Sequence, residues 1–254
     1  MKFIYFVGTA GSGKSTMVQA YKEWLDHHAI DSIVVNLDPG ADVLPYNADI
    51  DIREWIDLSD VMEEYALGPN GAQIVAADLM AVHIKNLTEA LETFKTDYVL
   101  VDTPGQLELF AFRSSSQVLT ESLGKHRSMI LFLMDPLLCR TPNGFISGMT
   151  LSSLVRFRLQ LPMVTLLSKI DVLKEDEKER ILNWYTDPYS LQGDLLDNDS
   201  DPQTIVGNEL FRALENIGIF GDIRAVSSID SIGMDEIYGS SQLIFQAGED
   251  VDRS

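Results

Sequence analysis

Cysteine is nearly absent from this 254-residue chain; Cys139 stands alone. One thiol builds neither an intramolecular disulfide framework nor a multi-cysteine metal site. The place expected for Cys139 is the core, where cysteine behaves as a small hydrophobe. Histidine is scarce as well. His27, His28, His83 and His126 show no metal-ligand spacing, and a solvated helix face accounts for them better than zinc does. Positive charge is in short supply: 19 Lys and Arg stand against 39 Asp and Glu, a formal net charge of −20. A surface this acidic repels phosphate backbones and anionic lipid, and no Lys/Arg run offsets it. General nucleic-acid binding and docking to anionic membranes are therefore not expected. No apolar stretch approaches the length of a membrane span. The apolar start, Met1 to Val7, runs straight into glycines and is too short for a signal-peptide core with its cleavage site. These absences point to a cytoplasmic protein whose thiol stays reduced.

What is present is a globular composition, 45% hydrophobic and 23% charged. That is enough to bury a sizeable core, which excludes disorder for the bulk of the chain. The length suits one large domain, 1–254, better than several. Short apolar runs at Lys2–Val7, Ser32–Leu37, Tyr98–Val101, Met129–Met134, Met163–Leu167 and Ile223–Val226 read as strands buried on both faces. Helical patterns alternate with them at Lys14–Asp26, Asp78–Phe94, Gly148–Gln160, Glu175–Tyr185, Asn208–Asn216 and Met234–Gln246. The expected class is α/β, with three layers, a mostly parallel sheet and helical insertions. Residues 38–77 and 174–205 exceed a minimal α/β unit. Within the second, Asp187, Asp194, Asp197, Asp199 and Asp201 mark an acidic stretch without a basic residue, from Asp187 to Pro202. It reads as a solvated loop, with a partner contact as the alternative. The polar tail from Gly248 is expected to fray.

Three motifs carry chemistry. Gly8-Thr9-Ala10-Gly11-Ser12-Gly13-Lys14-Ser15, followed by Thr16, fits the phosphate-binding pattern G-x-x-x-x-G-K-[ST] between a strand and a helix. Its glycines free backbone N–H groups to face phosphate oxygens. The helix that follows aims its dipole at the anion. Lys14 is placed to reach the β and γ phosphates, and Ser15 to offer its hydroxyl to Mg²⁺. Asp102-Thr103-Pro104-Gly105-Gln106 follows an apolar strand. There Asp102 is a candidate Mg²⁺ carboxylate acting through water, and the Gly105 N–H is a candidate γ-phosphate contact. Ser168-Lys169-Ile170-Asp171 approximates the guanine signature N-K-x-D, with serine where asparagine is commonest. Asp171 can accept the paired N–H donors that guanine has and adenine lacks, and Lys169 can lie along the base. Ser227 stands where a last base-contacting loop is expected.

Two further segments, Asn36-Leu37-Asp38-Pro39-Gly40 and Gly68-Pro69-Asn70, complete a set that closely resembles the GPN-loop GTPases, in the compact archaeal form. The resemblance implies GTP and GDP as substrate and product, Mg²⁺ as cofactor, and a P-loop fold of the SIMIBI class. It also implies a homodimer in which the Gly-Pro-Asn loop of one subunit reaches the phosphates of the other, so that Asn70 acts in trans. The hydrolytic water is then assigned to Asp38, Gln106 and Glu108, with Lys14 supplying positive charge. By residue type alone, Asp38 also suits a turn or helix N-cap, and Glu108 and Gln106 a solvated first turn. Arg53, Arg113 and Arg140 are the arginines weighed as catalytic fingers, and a surface ion pair is the expectation for each. The family's eukaryotic members assist assembly of RNA polymerase II, so the resemblance also allows a protein client, of unknown identity, while the role of the compact form does not follow from these residues. A nucleotide-gated scaffold in which turnover is secondary remains an alternative, as does a P-loop kinase, for which basic residues are too sparse.

Overall fold

The computed structural model describes residues 1–196, 202–220 and 223–251. Asp197, Asp199 and Asp201 of the acidic stretch, and the last three residues of the tail, lie outside them. The strands are β1 (Lys2–Gly8), β2 (Ser32–Asn36), β3 (Ile50–Asp51), β4 (Tyr98–Asp102), β5 (Ser128–Met134), β6 (Met163–Leu167) and β7 (Ile223–Ala225). They form one sheet in the order β3-β2-β4-β1-β5-β6-β7, and every pairing is parallel. The helices are α1 (Lys14–His27), α2 (Leu58–Glu64), α3 (Pro69–Leu79), α4 (Ile84–Glu92), α5 (Leu107–Ala111), α6 (Ser114–Leu123), α7 (Pro142–Leu159), α8 (Glu175–Thr186), α9 (Pro188–Leu196), α10 (Pro202–Asn216) and α11 (Met234–Val251).

Because side chains alternate across a strand, the all-apolar runs feed two cores at once. Tyr5, Val7, Val35, Val101 and Phe132 face one layer, where they meet Ala76, Phe110, Phe145 and Trp184. Ile4, Phe6, Val34, Leu100 and Leu131 face the other, packed by Met17, Tyr21 and Leu25 of α1 and Ile237 and Phe245 of α11. The three-layer parallel fold is as expected. Cys139 is fully buried, and burial pushes its thiol pKa up to about 12.

Four local expectations are corrected. The helical pattern from Asp78 to Phe94 divides into α3 and α4 at a turn, so that α3 packs on α2, α5 and α6 while α4 swings towards β3. Gly68-Pro69-Asn70 is a helix start: Gly68 is the extended N-cap of α3 and Pro69 its first residue. Proline suits that position because its missing N–H is one the helix leaves unpaired anyway. The acidic stretch is helical over Pro188–Leu196, since Leu191 and Leu195, one turn apart, are buried and Asp194 accepts a hydrogen bond from Trp184 Nε1 at 2.6 Å. Finally, α11 continues to Val251 past the point where fraying was expected.

The topology positions the site. β1 lies between β4 and β5, and the chain changes direction around it, so a crevice opens at the carboxyl ends of these strands. Register places Asp102 beside Phe6 of β1 and Asn36 of β2. The residues that end β1, β2 and β4 therefore share one edge.

Candidate functional site

The turn from Gly8 to Ser15 wraps this edge. Ser12 N–H donates to the Thr9 carbonyl at 3.1 Å and closes the loop. Gly11 and Gly13 adopt positive φ, +76° and +92°. A Cβ on Gly8 would sit 2.7 Å from the Leu133 carbonyl oxygen, so only glycine fits there. Thr9, Ala10 and Gly11 lie towards solvent, Ser12 is buried, and Ser15 and Thr16 open α1 at the loop's end. Lys14 folds back over the loop. Its Nζ donates to the carbonyls of Gly8 (2.9 Å), Thr9 (3.0 Å) and Gly105 (3.0 Å). Burial lowers the pKa of this ammonium, while Asp102 and Asp38 act to raise it.

Across the loop sits Asp102, 1% exposed. Its Oδ2 accepts from Tyr46 Oη at 2.6 Å, whereas its buried Oδ1 has no partner. Desolvation raises its pKa, against the lowering effects of Tyr46, Ser15 and Lys14. A buried carboxylate oxygen left free beside a serine hydroxyl fits Mg²⁺. That ion takes one or two carboxylates, keeps its waters and is completed by substrate phosphate. Ser15 and Asp102 are the residues that would hold it. Among the described residues no group of three or more His, Cys, Asp or Glu side chains offers an all-protein metal cage.

Asp38 reaches the same place from β2. Asn36 fixes its backbone, with Oδ1 accepting from Asp38 N–H at 3.0 Å. Asp38 Oδ1 accepts from Gly40 N–H at 2.9 Å, and Asp38 Oδ2 from Gly105 N–H at 2.9 Å. The carboxylate thus occupies the backbone donor assigned in sequence to the γ-phosphate. Gln106 and Glu108 follow Gly105 into α5, both exposed. Gln106 Nε2 donates to Gln73 Oε1 at 3.1 Å, which joins the first turns of α3 to the start of α5. Asn70 is exposed at the start of α3.

At the other end of the loop, Ser168 Oγ is turned inward, against the Ser12 carbonyl (2.9 Å) and the Met134 carbonyl (2.8 Å). It ties β5 and β6 to the phosphate loop, the backbone task for which the commoner asparagine amide is also suited. Lys169, at φ +50°, lays its ammonium on the Gly11 carbonyl. Ser227 Oγ donates to Asp171 Oδ1 at 2.7 Å and fixes the carboxylate read as the guanine acceptor. Two loops after different strands, β6 and β7, are thereby joined. The three candidate arginines are all ion-paired: Arg53 with Asp51 (2.6 Å), Arg113 with Asp78 and Arg140 with Glu177 (3.2 Å).

Sequence reasoning missed Tyr46 and Gln73. Gln73 carried a weak signal, one helical turn beyond Asn70 on the same face. Tyr46 carried none, since 56 residues separate it from Asp102.

Comparison with known proteins places this geometry. Residues 6–247 match a family described as conserved hypothetical ATP binding protein. GPN-loop GTPase 1 of Dictyostelium discoideum is 31% identical over 92% of this chain and 59% of its own length. GPN-loop GTPase 1 of Saccharomyces cerevisiae is 33% identical over 92% of this chain and 63% of its own. The chain thus spans about three fifths of the length of these relatives. An archaeal GPN-loop GTPase from Pyrococcus abyssi is 37% identical over 72% of this chain and 73% of its own length. The crystal structure of that archaeal GTPase in its apo form superposes with a TM-score of 0.84 at 30% identity, covering 96% of this chain and 97% of the other. The phosphate loop, the Asp102 and Asp38 edge and these matches lead to one conclusion: the chain belongs to the GPN-loop GTPase family.

Proposed function

We propose that this chain is a Mg²⁺-dependent GTPase, hydrolysing GTP to GDP and phosphate as a homodimeric molecular switch in the cytoplasm. The observation that carries the reading is the Asp38–Gly105 contact. A γ-phosphate oxygen and the Asp38 carboxylate compete for the same N–H. When a triphosphate arrives, Asp38 is released and becomes free to orient water; when phosphate leaves, the contact re-forms. That is a two-state element whose balance the nucleotide sets. Lys14, already bonded to both Gly8 and Gly105 carbonyls, spans the loop and the switch and supplies charge at the β and γ positions. Gln106 and Glu108 line the approach of the attacking water. The Asp171–Ser227 pair supports guanine over adenine. The exposed Gly68-Pro69-Asn70 start of α3 supports a second copy of the chain as the group it meets, with Asn70 entering the partner's site. Bound magnesium would neutralise phosphate charge at Ser15 and Asp102. No helix among the described residues is long and apolar enough to cross a membrane. A protein client, whose assembly the switch times, fits the exposed side chains of α7, where Phe157 is 75% exposed.

Phosphate release from GTP and from ATP, with and without Mg²⁺, across a range of protein concentrations, tests this. GTP-selective, Mg²⁺-dependent release is expected. Asn70→Ala should lower turnover roughly tenfold or more while GTP binding persists, the mark of an interaction made in the transition state. Equal turnover of ATP would overturn the guanine assignment. Unchanged turnover in Asn70→Ala would overturn the role in trans.

A further inference from the structure

The carboxylate of Asp102 is held by a residue remote from it in sequence and outside the motifs. Tyr46 Oη donates to Oδ2 at 2.6 Å, and Oδ1 is left buried and unpartnered. A phenolic hydroxyl facing a carboxylate oxygen can only be the donor in this bond. Tyr46 itself is anchored. Its ring packs half-buried against the core face shared by α1 and α11. On its C-terminal side its segment is tied twice to β2. Val34 N–H donates to Asp49 Oδ2 at 2.8 Å, and Asn36 Nδ2 donates to Asp51 Oδ1 at 2.9 Å. Arg53 then joins Asp51, through Nε at 3.0 Å and Nη2 at 2.6 Å, to the Ala41 carbonyl at 2.7 Å. The tyrosine hydroxyl is therefore delivered by a braced strap rather than by a loose loop.

We infer that Tyr46 is a positioning residue for the metal site: by saturating Oδ2 it fixes the rotation of the Asp102 carboxylate and leaves Oδ1 as the oxygen available to the cation's shell. This rests on the reading of Asp102 as the Mg²⁺ carboxylate. Neutral donors behind a ligating carboxylate orient it without cancelling its charge, and removing such partners typically weakens metal binding by about 10–100-fold. It also gives the strap between β2 and β3 a task at the phosphate edge, because any shift of residues 41–51 would turn the carboxylate.

The test is a Mn²⁺ titration of the GDP-loaded protein, followed by electron paramagnetic resonance, on wild type, Tyr46→Phe, Asp102→Asn and the double variant. GDP affinity in chelator is measured in parallel. Tyr46→Phe should weaken Mn²⁺ by about 10–100-fold, leave chelator-state GDP affinity unchanged, and add no further loss in the Asp102→Asn background. Mn²⁺ affinity unchanged or tighter in Tyr46→Phe overturns the inference. So does an equal loss with and without Asp102, which would make Tyr46 merely structural. Circular dichroism melting checks the fold, and Asp49→Ala, which loosens the strap while keeping the hydroxyl, should weaken Mn²⁺ in the same direction. A wild type that binds GDP yet shows no Mn²⁺ site, with Asp102→Asn unchanged from it, defeats the Asp102 reading itself and the inference with it.

Discussion

Two segments lie beyond the minimal sheet-and-helix unit, and they serve the molecule differently. Residues 38–77 return to the phosphate edge: Asp38 holds Gly105, Tyr46 holds Asp102 and Gln73 meets Gln106. Their contacts are polar, directional and made to groups that the proposed function gives to the nucleotide site. Residues 174–196 are held mainly by burial. Trp184, Leu191 and Leu195 fill the core beside Phe145, with ring centroids of Phe145 and Trp184 5.9 Å apart. The first segment can exchange partners when a ligand competes for its hydrogen bonds; the second has no such exchange, because apolar burial offers no ligand a group to take. Charge alone misleads here. The one described carboxylate of the second segment with a buried partner, Asp194, braces Trp184, whereas Asp38 in the first holds a backbone N–H at the phosphate edge.

The largest expected effect lies where the two kinds of contact are most unlike. Lys14→Ala should lower GTP hydrolysis by at least about a hundredfold, the scale of losing one preorganised charge-stabilising donor. Single-turnover phosphate release measures it, and near-normal turnover would break the phosphate-site assignment. Trp184→Ala should act oppositely in kind. It is expected to destabilise the fold by about 3–5 kcal/mol through the cavity left behind, seen by urea unfolding, with the rate per folded molecule preserved. A smaller effect is expected from Asp194→Ala, which strands the buried Trp184 N–H; about 1–3 kcal/mol of stability should be lost. Should Asp194→Ala change hydrolysis instead of stability, the division between the two segments would be wrong. The smallest is the exposed Lys22–Asp26 pair on α1, whose removal should cost no more than about 0.5 kcal/mol and mark the floor of such measurements.

Legibility followed distance along the chain. The phosphate loop is contiguous, and the glycines and lysine that it needs must stand at fixed spacing, so it could be read directly. Asp102, Asp38 and Asp171 each end or follow an apolar run, and a strand's end is where a parallel sheet presents its ligands. The ion-paired state of Arg53, Arg113 and Arg140 also followed from composition, since acidic partners outnumber basic ones. β3 escaped notice because two residues carry no periodicity. α9 escaped because aspartates masked the Leu191 and Leu195 pair. Gly68-Pro69-Asn70 was misjudged in form because glycine before proline signals both a turn and a helix start, and only the chain that follows decides between them.

By itself the sequence determined the class of fold, the phosphate cradle and the strand ends that carry carboxylates, because these depend on local spacing and on apolar runs that must be buried. The tertiary structure alone decided which groups those carboxylates hold. That Asp38 meets Gly105, that Tyr46 meets Asp102 and that Ser227 meets Asp171 are contacts across 67, 56 and 56 residues. Such contacts are set by strand order and by how each connecting segment packs back on the sheet, and no local pattern encodes that choice.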